Sequence, residues 1–254
     1  MEVLKIELEA LTTSFRYPHF LVGRQPSYRM PPPATIYGHI CSTWGDWVKP
    51  EHIQFSYNFT YDGNADDFEH IYKVKVGSGK FNKKAGFIKN IELELDPVLR
   101  EVLLFPKLTL YINSEKLLGK FFTKFKNPHY TVLLGRSQDL ASYKNVKIVD
   151  LKKSSQWYIE NTLLPWSFRT RVSEGISVLM PKFIDPEDRR NVEWDRYIII
   201  EHRVPYRRII KYENDGTLWI DPETPEVKGM KRAVIWHSFT AEETGEINLA
   251  RIKQ

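Results

Sequence analysis

Leu4, Lys5, Ile6, Glu7, Leu8 and Glu9 alternate apolar with charged residues, which predicts a half-exposed strand with Leu4, Ile6 and Leu8 on its buried face. An irregular stretch over 12–34 follows, punctuated by Pro18, Gly23, Pro26, Pro31, Pro32 and Pro33. From Thr35 the spacing becomes helical, with Ile36, Ile40, Trp44 and Trp47 on one side. Pro33 suits a position just ahead of that helix, and Pro50 puts its end near Trp47. Strands are predicted at 53–61 and 71–76, with Asp62-Gly63-Asn64 as a turn signal between them. Residues 77–90 are polar, basic and punctuated by glycine, and further strands are predicted at 91–95 and 102–112. Asn113 or Ser114 is placed to cap a second helix. Its apolar side carries Leu117, Leu118, Phe121, Phe122 and Phe125, and Lys116, Lys120 and Lys124 repeat every four residues beside it. Asn127-Pro128 ends it. A strand at 130–134 then leads into Gly135-Arg136-Ser137-Gln138.

The first half thus reads strand, helix, strands, helix, strand. That is an α+β class with the order of the ferredoxin-like or RRM fold, plus an inserted β-hairpin at about 77–107. From about Asp150 the pattern changes to short β-like runs at 157–160, 197–202, 207–212, 218–220 and 233–238, with a charged loop or short turn of helix at 185–190. The expected organisation is a domain over 1–150 and a small, mostly-β region over 151–254.

Composition adds bounds. A chain of 254 residues with 42% hydrophobic and 13% aromatic residues can bury a core. The single cysteine, Cys41, allows no intrachain disulfide and points to a reducing compartment. The N-terminus lacks the apolar core of a signal peptide and no later run approaches a membrane span, so a cytoplasmic location without a membrane partner is expected. The net charge of +5 is too mild to indicate nucleic acid by itself. Its distribution matters more, because basic residues cluster at 16–29, 73–89 and 116–126. Walker, dinucleotide-binding and H-E-x-x-H patterns are absent. Seven histidines, at 19, 39, 52, 70, 129, 202 and 237, show no short paired metal spacing. No metal, no cofactor and no catalytic residue is expected.

Single-stranded RNA needs cations for phosphates and flat side chains for splayed bases. Residues 14–37 interleave Arg16, Arg24 and Arg29 with Phe15, Tyr17, Phe20, Tyr28 and Tyr37, and lead into a helix N-terminus, which attracts phosphate. A surface loop stapled by its aromatics fits the same residues.

Residues 24–38, Arg-Gln-Pro-Ser-Tyr-Arg-Met-Pro-Pro-Pro-Ala-Thr-Ile-Tyr-Gly, resemble the start of the fifth CRISPR-associated protein family, in its type I-B-like branch. These are RAMP-superfamily subunits of Cascade, the type I surveillance complex. Residues 130–140, Tyr-Thr-Val-Leu-Leu-Gly-Arg-Ser-Gln-Asp-Leu, resemble the family's second hallmark. The resemblance covers residues 1 to about 150. It implies a RAMP domain whose hairpin is a thumb folded over the guide, and a non-catalytic subunit that grips the 5′ handle of the CRISPR RNA (crRNA) and caps the complex backbone in antiviral defence. The implied partners are the crRNA handle, the backbone subunit, the large PAM-reading subunit and, indirectly, target DNA. The RNA-binding residues expected are Arg16, Arg24, Tyr28, Arg29, Thr35, Lys80, Lys83, Lys84, Arg136 and Gln138, with Lys89 near them. One branch of the family cuts precursor crRNA without metal, using Tyr, Lys and His. Here Lys126, His129 and Tyr130, or Tyr37 and His39, are the matching groups, so a metal-independent endoribonuclease is the alternative. A generic RRM-like RNA module is a further one.

Overall fold

The computed structural model of the chain describes residues 1–20, 23–74, 77–90, 93–209 and 216–239, apart from the side chains of residues 78, 89 and 90. Its main elements are β1 (Glu2–Ala10), α1 (Pro33–Trp44), β2 (Gln54–Thr60), β3 (Gly63–Val74), β4 (Leu93–Leu104), β5 (Lys107–Asn113), α2 (Leu118–Lys126), β6 (Ala141–Asp150), β7 (Thr162–Pro165), β8 (Ile176–Ile184) and β9 (Val192–Ile200). An antiparallel sheet runs β6-β1-β5-β2-β7-β9-β8, and His237–Ser238 pairs with β2. The architecture is mostly β with two α-helices among the described residues, compatible with the α+β class read from the sequence.

Alternation in β1 works as the sequence dictates. Leu4, Ile6 and Leu8 pack with Leu108, Leu110, Ile112, Phe55, Tyr57 and Phe59 beneath Ile36 and Ile40 of α1 and Phe121 and Phe125 of α2. The opposite face carries Val3, Tyr111 and Val149, and the C-terminal part of the chain covers it through Leu151, Val234, Trp219 and Trp236. Lys5 lies on this covered face, only 5% exposed. Its ammonium donates to Asp221 at 2.6 Å and to Glu223 at 3.2 Å, and the Tyr111 hydroxyl donates to the same Asp221 oxygen at 2.7 Å. Burial pushes the Asp221 carboxyl up, but the hydrogen bonds from Lys5 and Tyr111 outweigh it and hold the group below its ordinary value.

The chain beyond 150 continues the same sheet. Asn58 Nδ2 donates to Glu160 O (2.7 Å), Phe59 N to Asn161 O (2.9 Å) and Thr162 Oγ1 to Tyr57 O (2.9 Å), which zips β7 onto β2. Leu163, Met180, Tyr197 and Ile199 enter the main core. A second cluster of Trp157, Ile159, Leu164, Ile198 and Ile235 forms behind β7 and β9.

Several local expectations change. Helix α1 starts at Pro33, whose ring fixes φ and forfeits an N–H that has no helical partner there. It ends at Trp44 because Gly45 takes a left-handed φ of 93° and returns its N–H to Cys41 O. Trp47 therefore lies beyond the helix and is exposed. Neither Asn113 nor Ser114 caps α2 with its side chain; Ser114 accepts from Leu118 N through its backbone carbonyl at 3.2 Å. Residues 130–134 are not a strand: only Leu133 forms an isolated bridge, to Leu140, and the strand beside β1 is β6. The inserted hairpin is longer than 77–107, since β3 and β4 pair from Gly63↔Leu104 to Val74↔Leu93. The run expected at 207–212 is a 3₁₀ turn at Tyr206–Arg208, and its residues from 210 lie outside the described ones. At 233–238 only His237–Ser238 is strand.

Two histidines are buried neutral. Burial lowers both His39 and His237 to about 4, against the opposing pull of Leu133 O and Leu163 O. Leu133 O can only accept, so His39 Nδ1 holds the proton and Nε2 accepts from the Tyr143 hydroxyl at 2.8 Å. Unfolded histidine titrates near 6.5, so on acidification the unfolded chain takes up these protons first. Stability is then complete above pH 6.5 and falls as pH drops towards 4, by about 1.4 kcal/mol per unit for each ring. Urea midpoints at pH 7 and pH 5 check this; equal midpoints would contradict two buried neutral rings.

Candidate nucleic-acid interface

The 12–34 stretch is stitched to the hairpin. Thr12–Thr13 pairs antiparallel with Leu103 and Leu104 of β4, and Arg24–Gln25 runs parallel to Leu99 and Arg100. Between them the chain doubles back, with Arg16 bridged to Ser27 and Tyr28 N donating to Phe15 O. Ser27 N donates to Glu101 Oε2 at 2.9 Å, and Ser14 Oγ to Glu101 O at 2.8 Å. The side chains expected to stack on bases mostly face inward. Phe15 packs edge-on against Phe59, and Tyr37 donates to Val48 O. Tyr28, with no exposed surface, donates to Leu179 O at 3.0 Å. Tyr28 is thus a core residue and cannot take a base as placed. Of the arginines, Arg24 forks onto Asp66 (2.9 Å) and reaches Glu101, and Arg29 meets Glu201 at 3.1 Å. Arg16 is exposed and has no ion pair among the described residues. Thr35 stands partly exposed on the first turn of α1 and donates its amide to Pro32 O.

Strands β3 and β4 form an arm with two unlike faces. Phe68, His70, Tyr72 and Val74 sit opposite Leu99, Pro97, Leu95 and Leu93, which makes one apolar, largely exposed face. Asp67, Glu69, Ile71 and Lys73 sit opposite Arg100, Val98, Asp96 and Glu94 on the other, with Lys73 paired to Asp96 at 2.7 Å. The short strands Ser78–Asn82 and Phe87–Asn90 carry the arm to its tip. There the Asn82 side chain accepts from the amides of Lys84 and Ala85 and fixes the turn. Lys80, Lys83 and Lys84 are exposed and have no ion pair among the described residues. The side chain of Lys89 lies outside the described ones.

Arg136 ties the arm to the body. Its guanidinium donates to Asp139 (2.9 and 2.8 Å), Glu69 (2.7 Å) and Asp67 (3.1 Å). Gln138 Nε2 reaches the same Glu69 oxygen at 3.0 Å, and Arg100 donates to the other at 2.6 Å. The Asp139 side chain is fully buried and also accepts from Thr12 Oγ1. Burial pushes the Glu69 carboxyl up; hydrogen bonds from Arg100 and Arg136 reverse that and hold it below its ordinary value. Arg136 and Gln138 therefore stand among carboxylates and hold position rather than presenting free donors. Gly135, at φ 95°, is needed for the same joint: a Cβ there would lie 2.6 Å from Thr13 Oγ1 and 2.8 Å from Ser14 O. The close approach at this glycine is made by the chain itself.

Of the two sets of acid–base candidates, His39 and Tyr37 are buried. His129 and Tyr130 are exposed, with ring centroids 4.5 Å apart and Lys126 nearby in sequence; His129 also closes over Gly45. The described residues hold no cluster of His, Cys, Asp and Glu fit for a metal ion, and none of their helices is long and apolar enough to cross a membrane.

No protein-family model and no curated protein matches the chain. Solved structures do. A chain of a CRISPR RNA-guided surveillance complex superposes with a TM-score of 0.50 at 13% identity, covering 84% of this chain and 95% of that one. A CRISPR protein from Archaeoglobus fulgidus gives 0.44 at 12% identity over 94% and 100% of the two chains. A chain of the type III-B Cmr-β complex bound to cognate target RNA gives 0.44 at 13% identity over 84% and 91%. The first likeness establishes a shared fold.

Because Arg136 is 12% exposed and bonded to a buried carboxylate, Arg136→Lys is expected to lower stability by about 2 kcal/mol. Lysine keeps the charge but cannot fork. Thermal melting measures it, and an unchanged Tm would reduce the cluster to a surface ion pair worth about 0–1 kcal/mol.

Proposed function

We propose that this chain is a non-catalytic subunit of a CRISPR RNA-guided complex that binds the 5′ handle of the crRNA. Its first half serves as a ferredoxin-like RAMP platform and its arm as the thumb over the guide. The strand order β6-β1-β5-β2, linked by α1 and α2, supports the ferredoxin-like reading. The observation that carries the function is the build of the arm. Of the expected RNA-binding cations, Arg16, Lys80, Lys83 and Lys84 have no ion pair among the described residues, and they stand on the loop stitched to one hairpin and on that hairpin's tip. Phosphates of a strand lying along that hairpin would meet them in turn. Arg24, Arg29, Arg136 and Gln138 would shape the seat, and Thr35 would line it at the start of α1.

A two-stranded arm with this much exposed apolar surface is marginal in water by itself. In the proposed complex, guide bases and the backbone subunit would cover Phe68, Tyr72, Val74, Leu93 and Leu95. The large PAM-reading subunit and, through it, target DNA complete the assembly, which acts in antiviral defence in the cytoplasm. A generic RRM-like module fits less well. Such a module uses the open face of its sheet, and here Trp219, Val234 and Trp236 cover that face. The endoribonuclease alternative rests on exposed His129 and Tyr130.

Fluorescence anisotropy with a handle RNA tests the proposal. Replacing Arg16, Lys80, Lys83 and Lys84 together by alanine should weaken binding more than tenfold and lower the salt slope by about 3, at about 0.7 per lost phosphate contact on a single strand. Unchanged affinity and slope would sink the site. Repeat RNA should stay intact with or without divalent ions; cleavage at one position that His129→Ala abolishes would replace the non-catalytic reading with the nuclease.

A further inference from the structure

We propose that the outer face of α2 is a second nucleic-acid surface, one that takes the phosphate backbone of a duplex without reading its sequence. Phe121 and Phe125 are buried under the helix, and the flank beside them carries a row of lysines. Lys116 lies on the turn before the helix; Lys120 and Lys124 follow at four-residue steps, about 6 Å apart along the axis. Lys124 holds its ammonium 5.9 Å from the Trp44 ring centre, and Lys126 holds its own 5.8 Å from that of Phe122. Those ring contacts restrict two of the four side chains before any ligand arrives.

Counter-charge is sparse among the described residues. None of the four lysines has an ion pair among the described residues, while Lys5, Lys144 and Lys147 on the neighbouring strands all do. Over residues 114–130 the sole acidic residue is Glu115. A row of cations kept apart from carboxylates is complementary to a polyanion. Lysine, a compact point charge, suits phosphate oxygens more than the planar recognition at which arginine excels. The helix face is convex and offers no groove for splayed bases, which disfavours a single strand. A duplex is stiff and carries one negative charge about every 1.7 Å of its axis, so it can lie along such a row.

The row is separate from the handle site. Helix α2 follows Asn113 at one end of β5, and the arm is rooted at the other end, near Lys107. The seven residues of β5 set the start of the row about 20 Å from that root.

The test uses the full chain, a random-sequence 20-base-pair DNA duplex, an RNA duplex of the same sequence, and vesicles containing phosphatidylserine. Lys116→Gln, Lys120→Gln and Lys124→Gln are combined, since glutamine matches lysine in helix propensity and circular dichroism can verify the fold. The triple variant should lose about 2.7 from the salt slope for duplex DNA, at about 0.9 per phosphate, and bind at least tenfold more weakly. Its affinity for handle RNA should not change. A parallel loss on the RNA duplex would identify the backbone itself as the ligand, whatever its sugar. Three results would overturn the proposal: an unchanged duplex slope, a matching loss of handle binding, or vesicle binding without duplex binding. The Arg16, Lys80, Lys83 and Lys84 variant tests the handle site alone, so either site can fail without the other.

Discussion

A charged ammonium buried in the middle of a sheet must be matched, and most of this architecture follows from how Lys5 is matched. It lies on β1, between β5 and β6, and its partner Asp221 comes from the far end of the chain with no exposed side-chain surface. Removing one member of such a pair costs about 3–5 kcal/mol, because the other is left buried and uncompensated. The C-terminal segment is therefore obliged to close over the sheet, and it brings Trp219, Val234 and Trp236 with it. That closure takes away the face on which a simple RNA-binding sheet would display its aromatics. Among the described residues, the loop, the arm and the helix layer remain open to solvent.

The joint at Arg136 is the second constraint. Four donors on one guanidinium gather Asp67, Glu69 and Asp139 from the arm and the loop. Gly135 lets the backbone come close enough for this to happen. A hairpin as long as β3–β4 would otherwise pivot on the short links at 60–63 and 104–107. Carboxylates at the root and lysines at the tip also give the arm a charge gradient along its length.

How much of this the sequence shows depends on which force set each element. β1, β2 and β5 are written largely in alternation, because one face of each packs under the helices, with Val3 and Tyr111 as apolar exceptions on the covered opposite face. β6 is not, since Ser142, Lys144, Asn145 and Lys147 suit an edge strand with a wet side. The more apolar run at 130–134 attracts a strand reading that the Arg136–Asp139 turn overrules. β8 hides behind Pro181, which a single sequence reads as a break, although an edge strand tolerates it. The aromatics at 15–37 illustrate another limit: Phe15 and Tyr28 on the loop and Tyr37 on α1 would look the same whether they pack inward or stack on bases, and their burial decides for packing. Asp139 is near Arg136 in sequence, but Glu69 and Asp67 are not, and only the fold brings them near.

The Lys5–Asp221 pair spans 216 residues, and that separation has a consequence for biosynthesis. The first strand leaves the ribosome long before its counter-ion exists. At about 5–20 residues per second, Lys5 waits on the order of ten seconds or more for Asp221 to be made. During that interval β1 can pair with β5 and then β6, but its charged face has only water for company. Contacts of such long range also make closure slow, because the loop entropy comes due before the contact forms. The pair cannot form before Asp221 is made, and a chain truncated before that residue would be left with the Lys5 ammonium unmatched on an uncovered sheet face.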